Sequence, residues 1–150
     1  GVKWGPAHNE IMLTEQGPRL IESSPRMTGG PVMEFSRAAS GSCQADRIAE
    51  LFATGSVQTT SYNHTQTVMP VFLKSPASGT IHNVAALDEV ASLPTLLRPF
   101  LWFEEGSHVP KTVDYLTAIG IIALAGPREK VLKDYEKIRK MESRLDVKPM

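Results

Sequence analysis

The chain has 150 residues, 41% of them hydrophobic, which is enough for a soluble domain with a real core. Sixteen basic and sixteen acidic residues cancel, which argues against a general nucleic-acid or anionic-membrane binder, because those surfaces call for an electrostatic excess. The single Cys43 excludes an intramolecular disulfide framework, fits a reducing, cytoplasmic setting, and reads as a buried structural thiol. The longest strongly apolar run, Ala118 to Ala125, is far too short to span a bilayer. The chain opens at Gly1 in GVKWGPAH without an initiating methionine, and the expectation is a processed, excised or cloned fragment.

The first element is a hairpin. Two short apolar runs, Glu10 to Thr14 and Pro18 to Glu22, flank Glu15-Gln16-Gly17, which reads as a three-residue loop with glycine at the left-handed position. If Thr14 faces Pro18, Glu10 lies opposite Glu22 and His8 opposite Ser24. Alternation then puts His8, Glu10, Glu22 and Ser24 on one face, with Ile11, Leu13 and Ile21 on the other. A two-residue loop would shift the register by one and separate the glutamates as ordinary solvated charges. Carboxylates paired at about 5 Å repel by roughly 3 kcal/mol at an effective dielectric of about 20. A divalent cation or a shared proton removes that penalty. Magnesium takes one or two carboxylates and completes its octahedron with phosphate oxygens and water, so the hairpin suggests a magnesium-nucleotide site.

After the hairpin come Pro25, Arg26, Met27, Thr28, Gly29 and Gly30, then Pro31 at the expected first position of a helix. Free N–H groups at a helix start, two glycines permitting close approach and a nearby arginine suit an anion; the plainer reading is a flexible entry into the helix. Val32, Phe35 and Ala39 recur at helical spacing until Gly41. A second helix over Gln44 to Ala53 places Ile48, Leu51 and Phe52 on one face, with Ser42 as candidate N-cap and Gly55 as its stop. Both faces read as core. The stretch SVQTTSYNHTQT reads as a loop or a join to a second subdomain, with His64 exposed in it.

From Thr67 the chain becomes strand-like. Thr67 to Leu73, Gly79 to Val84 and Leu96 to Phe103 are rich in branched and aromatic residues, and Pro70 and Pro99 push their strands toward edges or bulges. Between them, Leu87 to Leu93 reads as a short helix with Asp88 and Glu89 in its first turn. TAIGIIAL reads as a strand buried on both faces, with a buried helix as the alternative. A long helix from Pro127 to about Arg144 closes the chain, striped by Val131, Tyr135 and Ile138. There is no phosphate loop, dinucleotide fingerprint, Cys-x-x-Cys or His-Glu-x-x-His, and the histidines are too scattered for zinc.

The pattern His-x-Glu, a hairpin, Leu-Ile-Glu-x-x-x-Arg and then Gly-Gly resembles the metal-binding end of the ATP-grasp fold. GPAHNEIMLTEQGPRLIES is most similar to the branch that ligates amino acids, and the later chain looks similar to the C-terminal extension of those ligases. The resemblance implies an ATP-dependent carboxylate-amine ligase acting through an acyl phosphate, with Mg2+ as cofactor, Mn2+ as its substitute, and ATP as co-substrate. It implies that Glu10 ligates one magnesium and Glu22 bridges two, and that Arg26 stabilises phosphate or acyl-phosphate oxygens. Gly29 and Gly30 would line the acceptor pocket. His8 would contact the acyl phosphate or a substrate carboxylate, or stand as a neutral structural residue. The family usually has Asn where this chain has Ser24, whose hydroxyl can ligate magnesium but is shorter.

The expected fold is α+β: residues 1–56 finish the second ATP-grasp lobe with the hairpin and helices, and residues 57–150 form a mainly β subdomain with a closing helix. The phosphate-contacting lysines, glycine-rich loop and adenine hinge would lie upstream, so the expected partners are the missing N-terminal lobe, ATP and a carboxylate or amino-acid substrate. No nucleic acid and no membrane are expected, a homo-oligomer is left open, and the chain alone should be incomplete and inactive. Two alternatives stay open: a non-catalytic binding or assembly domain with a degenerate metal site, and an ATP-grasp enzyme with another acceptor, of the carboxylase or ribonucleotide synthetase type.

Overall fold

The computed structural model describes residues 3–58 and 60–149. The chain divides into two compact units, Gly1–Thr65 and Gln66–Met150, with the division inside the polar stretch that breaks the apolar periodicity.

In the first unit, β1 (His8–Thr14) and β2 (Gly17–Ser24) form an antiparallel hairpin, followed by α1 (Val32–Ser40) and α2 (Gln44–Thr54). The loop has two residues, since Thr14 pairs with Gly17 and Leu13 with Pro18. Uninterrupted, that register would set Glu10 against Ile21. A β-bulge intervenes between Glu10 and Ile11, leaving Ile21 as the extra residue, and beyond it Glu10 pairs with Glu22, Asn9 with Ser23 and His8 with Ser24. The three-residue loop expected from sequence is therefore wrong. The pairing it was meant to produce is present, because the bulge restores by one residue what the shorter loop takes away.

Both helices end on glycines with positive φ, Gly41 at 79° and Gly55 at 77°, whose N–H groups return to Arg37 and Leu51 carbonyls. Pro31 is the N-cap of α1 rather than its first residue, and α2 is capped by Cys43 rather than Ser42. Asp46 closes a capping box by accepting the Cys43 N–H at 2.8 Å, while its carboxylate also takes the Arg37 guanidinium. The expected core faces of these helices are not core: neither helix contains a buried residue, and Phe52 is 84% exposed. Ile11, Met12, Leu13, Leu20 and Ile21 of the hairpin are exposed as well.

The second unit holds two three-stranded antiparallel sheets. One runs β3 (Thr67–Leu73), β7 (Gly120–Gly126), β5 (Leu96–Leu101), and the other β6 (His108–Val109), β4 (Gly79–His82), β8 (Asp146–Lys148). The apolar run around Ile121 and Leu124 is the central strand β7, buried on both faces. Pro70 and Pro99 lie on the two edge strands, and β5 carries a register irregularity between Leu96 and Arg98. The helix α3 (Arg128–Glu142) packs on β3 and β7, and Val131, Ile138 and Met141 join Val71, Leu73 and Ile122 in one core.

The short helix expected over Leu87 to Leu93 is a 3-10 helix over Val84–Ser92, entered through Asn83 at φ 59°. It buries Ala86, Leu87 and Val90. Leu87 and Val90, three residues apart, eclipse on one side of a three-residue turn, which is the geometry that lets both reach the core. Asp88 and Glu89 are therefore mid-helix and solvated rather than in a first turn. β4 stops at His82, two residues short of its expected end, because Asn83 turns the chain into this helix. Gly79 marks a close approach: a side chain there would run into the Lys148 carbonyl where β8 crosses β4.

Candidate functional site

The expected site residues all fall in the first unit. The register brings four of them together in two directly opposed pairs, Glu10 with Glu22 and His8 with Ser24. Ser24 Oγ donates to Glu22 Oε1 at 2.9 Å, as two residues on the same strand face can do, and on the other face Ser23 Oγ donates to Asn9 Oδ1 at 2.7 Å. Both glutamates are exposed; opposed carboxylates in a ladder repel, and a cation bound between them would relieve that repulsion.

Arg26 sits on the turn that follows β2, its N–H donating to the Ser24 carbonyl at 2.9 Å and its Nη1 to the Met27 carbonyl at 3.1 Å. Gly29 and Gly30 lead into α1. Gly30 has φ 63°, a conformation that favours glycine, and open space surrounds Gly29 where a Cβ would stand. The loop is tied down by Gln44 of α2, whose Oε1 accepts the Thr28 N–H at 3.1 Å and whose Nε2 donates to the Ala7 carbonyl at 2.9 Å. One amide side chain thus fixes the residue before the glycine pair and the residue before β1.

Beside this tie lies a cavity of about 580 Å³, within the usual range for small-molecule pockets. Its lining includes His8, Thr28, Ser36, Ser40, Gln44 and Tyr62. Tyr62 is set by the Arg47 guanidinium stacked 5.3 Å from its ring centroid, and Arg47 is itself anchored on Ser42 Oγ at 2.9 Å. His8 Nδ1 is enclosed and has no hydrogen-bond partner. Of these lining residues the sequence singled out His8, and it did not point to Ser36, Ser40, Gln44 or Tyr62. The signal available was a pair of small hydroxyl residues one turn apart, Ser36 and Ser40, on a helix too poor in large apolar residues to need them as core.

As a metal centre the donor set is hard oxygen: two carboxylates and one hydroxyl. Among the described residues no group of three or more His, Cys, Asp or Glu side chains could hold a metal ion. Carboxylate and hydroxyl oxygens are hard donors, the kind that magnesium takes alongside phosphate oxygens and water. Among the described residues no helix is long and apolar enough to cross a membrane.

Sheet order, hairpin and helices together define the fold of an ATP-grasp lobe. The whole chain superposes on the L-amino acid ligase from Bacillus licheniformis with a TM-score of 0.73, at 20% identity and over 39% of that chain. It also matches phosphoribosylglycinamide synthetase from Anaerococcus prevotii (TM-score 0.61, 16% identity) and N5-carboxyaminoimidazole ribonucleotide synthetase from Thermotoga maritima (0.53, 16%), covering 96% of this chain and 37% of each of those. All three are ATP-grasp enzymes. In sequence, the chain is 28% identical over 129 residues to uncharacterized protein y4rH of Sinorhizobium fredii (strain NBRC 101917 / NGR234), spanning 85% of this chain and 26% of that protein. No family model matches.

Proposed function

We propose that this chain is the metal-bearing part of an ATP-dependent carboxylate-amine ligase acting on amino acids. The observation that carries the reading is the glutamate pair: Glu10 directly opposite Glu22, held in register by a bulge placed just before it. The amino-acid branch is favoured by the likeness to the L-amino acid ligase, at a TM-score of 0.73.

In this reading Glu10 and Glu22 hold magnesium, with Ser24 adding a hydroxyl once it turns from Glu22, and manganese serves as a substitute. The bound ion would neutralise the nucleotide phosphates. Arg26 offsets charge on the transferred phosphoryl group through its fixed fork of donors. A substrate carboxylate oxygen bonds to the γ-phosphorus as ADP leaves. An amine then bonds to the acyl carbon, losing a proton, as phosphate leaves. The backbone at Gly29 and Gly30 would admit the acceptor closely, and His8 stands two residues before Glu10 on β1.

The rest of the nucleotide pocket belongs, in this proposal, to an upstream ATP-grasp lobe. Its support is physical: the hairpin exposes Ile11, Met12, Leu13, Leu20 and Ile21, and α2 exposes Phe52, more apolar surface than a free two-stranded ribbon sustains in water. The test is phosphate release with ATP, magnesium and pairs of amino acids, after an upstream lobe is supplied. ADP and phosphate should appear only when both amino-acid partners are present, and Glu22→Ala should abolish both release and magnesium-dependent thermal stabilisation. Release with other carboxylate or amine partners alone would move the reading to a ribonucleotide-synthetase or carboxylase type. No magnesium response in the completed protein would leave a binding or assembly domain.

A further inference from the structure

One side chain grips two stretches of backbone on which the proposed site depends. Gln44, the first residue of α2, accepts the Thr28 N–H on Oε1 at 3.1 Å and donates from Nε2 to the Ala7 carbonyl at 2.9 Å. Ala7 stands immediately before β1, on the strand that carries Glu10, and Thr28 lies between Arg26 and the glycine pair. The loop that carries Arg26 leaves β2 at Ser24, so its covalent link to the ribbon is on the Glu22 side alone. Gly29 and Gly30 supply no side chain to pin that loop. The Gln44 amide adds a second link, to the Glu10 side. Gln44 itself starts from a fixed point: the Cys43 N–H donates to Asp46 Oδ2 at 2.8 Å, closing the first turn of α2, and Arg37 holds the same carboxylate. A carboxamide answers both ends of the tie, whereas an ionised carboxylate of equal length accepts but cannot donate, and a leucine of similar size does neither.

We propose that Gln44 is a positioning residue of the ligase site, holding the loop of Arg26 at a set distance from the metal that Glu10 and Glu22 bind. The assignment rests on the ligase reading and adds to it the group that keeps the site's cationic and anionic halves in one geometry. Gln44 touches neither metal nor anion, since both ends of its amide are committed to backbone. Its effect is a coupling between two bound ions. A cation on the glutamate pair and an anion at Arg26 attract each other most when the loop cannot swing away, so each tightens the other's binding by the same factor. With the amide cut, the loop has to be ordered at the moment of binding, and that mutual gain is lost. The carboxylate pair, whose register belongs to the hairpin ladder, keeps its own affinity for metal.

The experiment is an amide NMR titration of the full 150-residue chain with magnesium, with inorganic phosphate, and with each in the presence of the other, free concentrations being corrected for magnesium–phosphate pairing. Magnesium is read at Glu10 and Glu22, and phosphate at Arg26. In the unmodified chain each ion should tighten the other about five-fold. Gln44→Leu should bring that factor to about one while the affinity for magnesium alone stays within about two-fold. Gln44→Glu separates the two ends of the tie. Its carboxylate keeps the Thr28 N–H protected from exchange, yet the coupling should still fall, because nothing donates to the Ala7 carbonyl. Coupling retained in both variants, or a general loss of the first unit's amide dispersion in both, overturns the positioning role, the latter because it makes Gln44 a residue of the fold alone. Magnesium shifts at Glu10 and Glu22 with no mutual tightening in the unmodified chain overturn that role and leave the metal reading standing. No magnesium shift at either glutamate overturns the metal reading, and the role of Gln44 with it.

Discussion

Asp134 is the residue whose neighbourhood is least forgiving. It lies on α3 with its side chain 3% exposed, accepting from Thr95 N at 3.2 Å and Thr95 Oγ1 at 2.8 Å, with Lys137 Nζ at 2.9 Å. Burial alone would push its carboxyl up, but the bonds from Lys137 and Thr95 outweigh that and hold it below its ordinary value. Asp134→Ala leaves a buried N–H and hydroxyl unpaired, and urea unfolding should show a loss of about 3 kcal/mol. Asp46 sets a pH dependence of a different kind. The Arg37 side-chain bond first, and then the Cys43 N–H, lower its carboxyl from 3.8 to about 2. A folded value below the unfolded one means stability that is fully present above pH 3.8 and is lost as pH falls toward 2. An acid titration followed at the α2 amides should show that loss, and Asp46→Asn should flatten it.

At the scale of elements, the hairpin shows where local counting succeeds and where it stops. The glutamate pairing counted on paper is present, but only because the bulge cancels the one-residue error in the expected loop. The loop length was not legible, because such a count assumes an unbroken ladder and nothing in IES announces a bulge. A relative with a regular hairpin would need a gap opposite Ile21, not in the turn. Deleting Ile21 should therefore straighten the ribbon while keeping residues 10 and 22 face to face, which cross-strand NOEs would show. The edge positions of β3 and β5 were legible from Pro70 and Pro99, since proline cannot complete a central ladder. The two-residue β6 and three-residue β8 were not, being too short to carry an alternation and existing only because β4 offers them edges. The cavity-lining serines were missed because a helix periodicity records where apolar residues recur and says nothing about what small polar ones leave open.

For the whole molecule, the distribution of buried side chains is lopsided. Among the described residues, every residue in the buried core except Cys43 lies in the second unit. Ile122→Ala should cost that unit about 3 kcal/mol and speed amide exchange across β7 and α3, leaving exchange in β1 and β2 unchanged. The first unit should exchange faster than the second throughout, and should gain protection when its exposed hairpin is covered by the proposed upstream lobe. The contrast follows from surface arithmetic: two helices with no buried residue and a ribbon exposed on its apolar side have little to hold them except caps and hydrogen bonds.

Cys43 turns that contrast into something that can be timed. It is the chain's single cysteine, 1% exposed, at the start of α2. An alkylating reagent or an aromatic disulfide can reach its sulfur only when the α1–α2 corner comes apart. The rate of modification under native conditions is therefore a colorimetric clock for the opening of the first unit, requiring no introduced label, and it should slow as soon as anything binds or covers that unit.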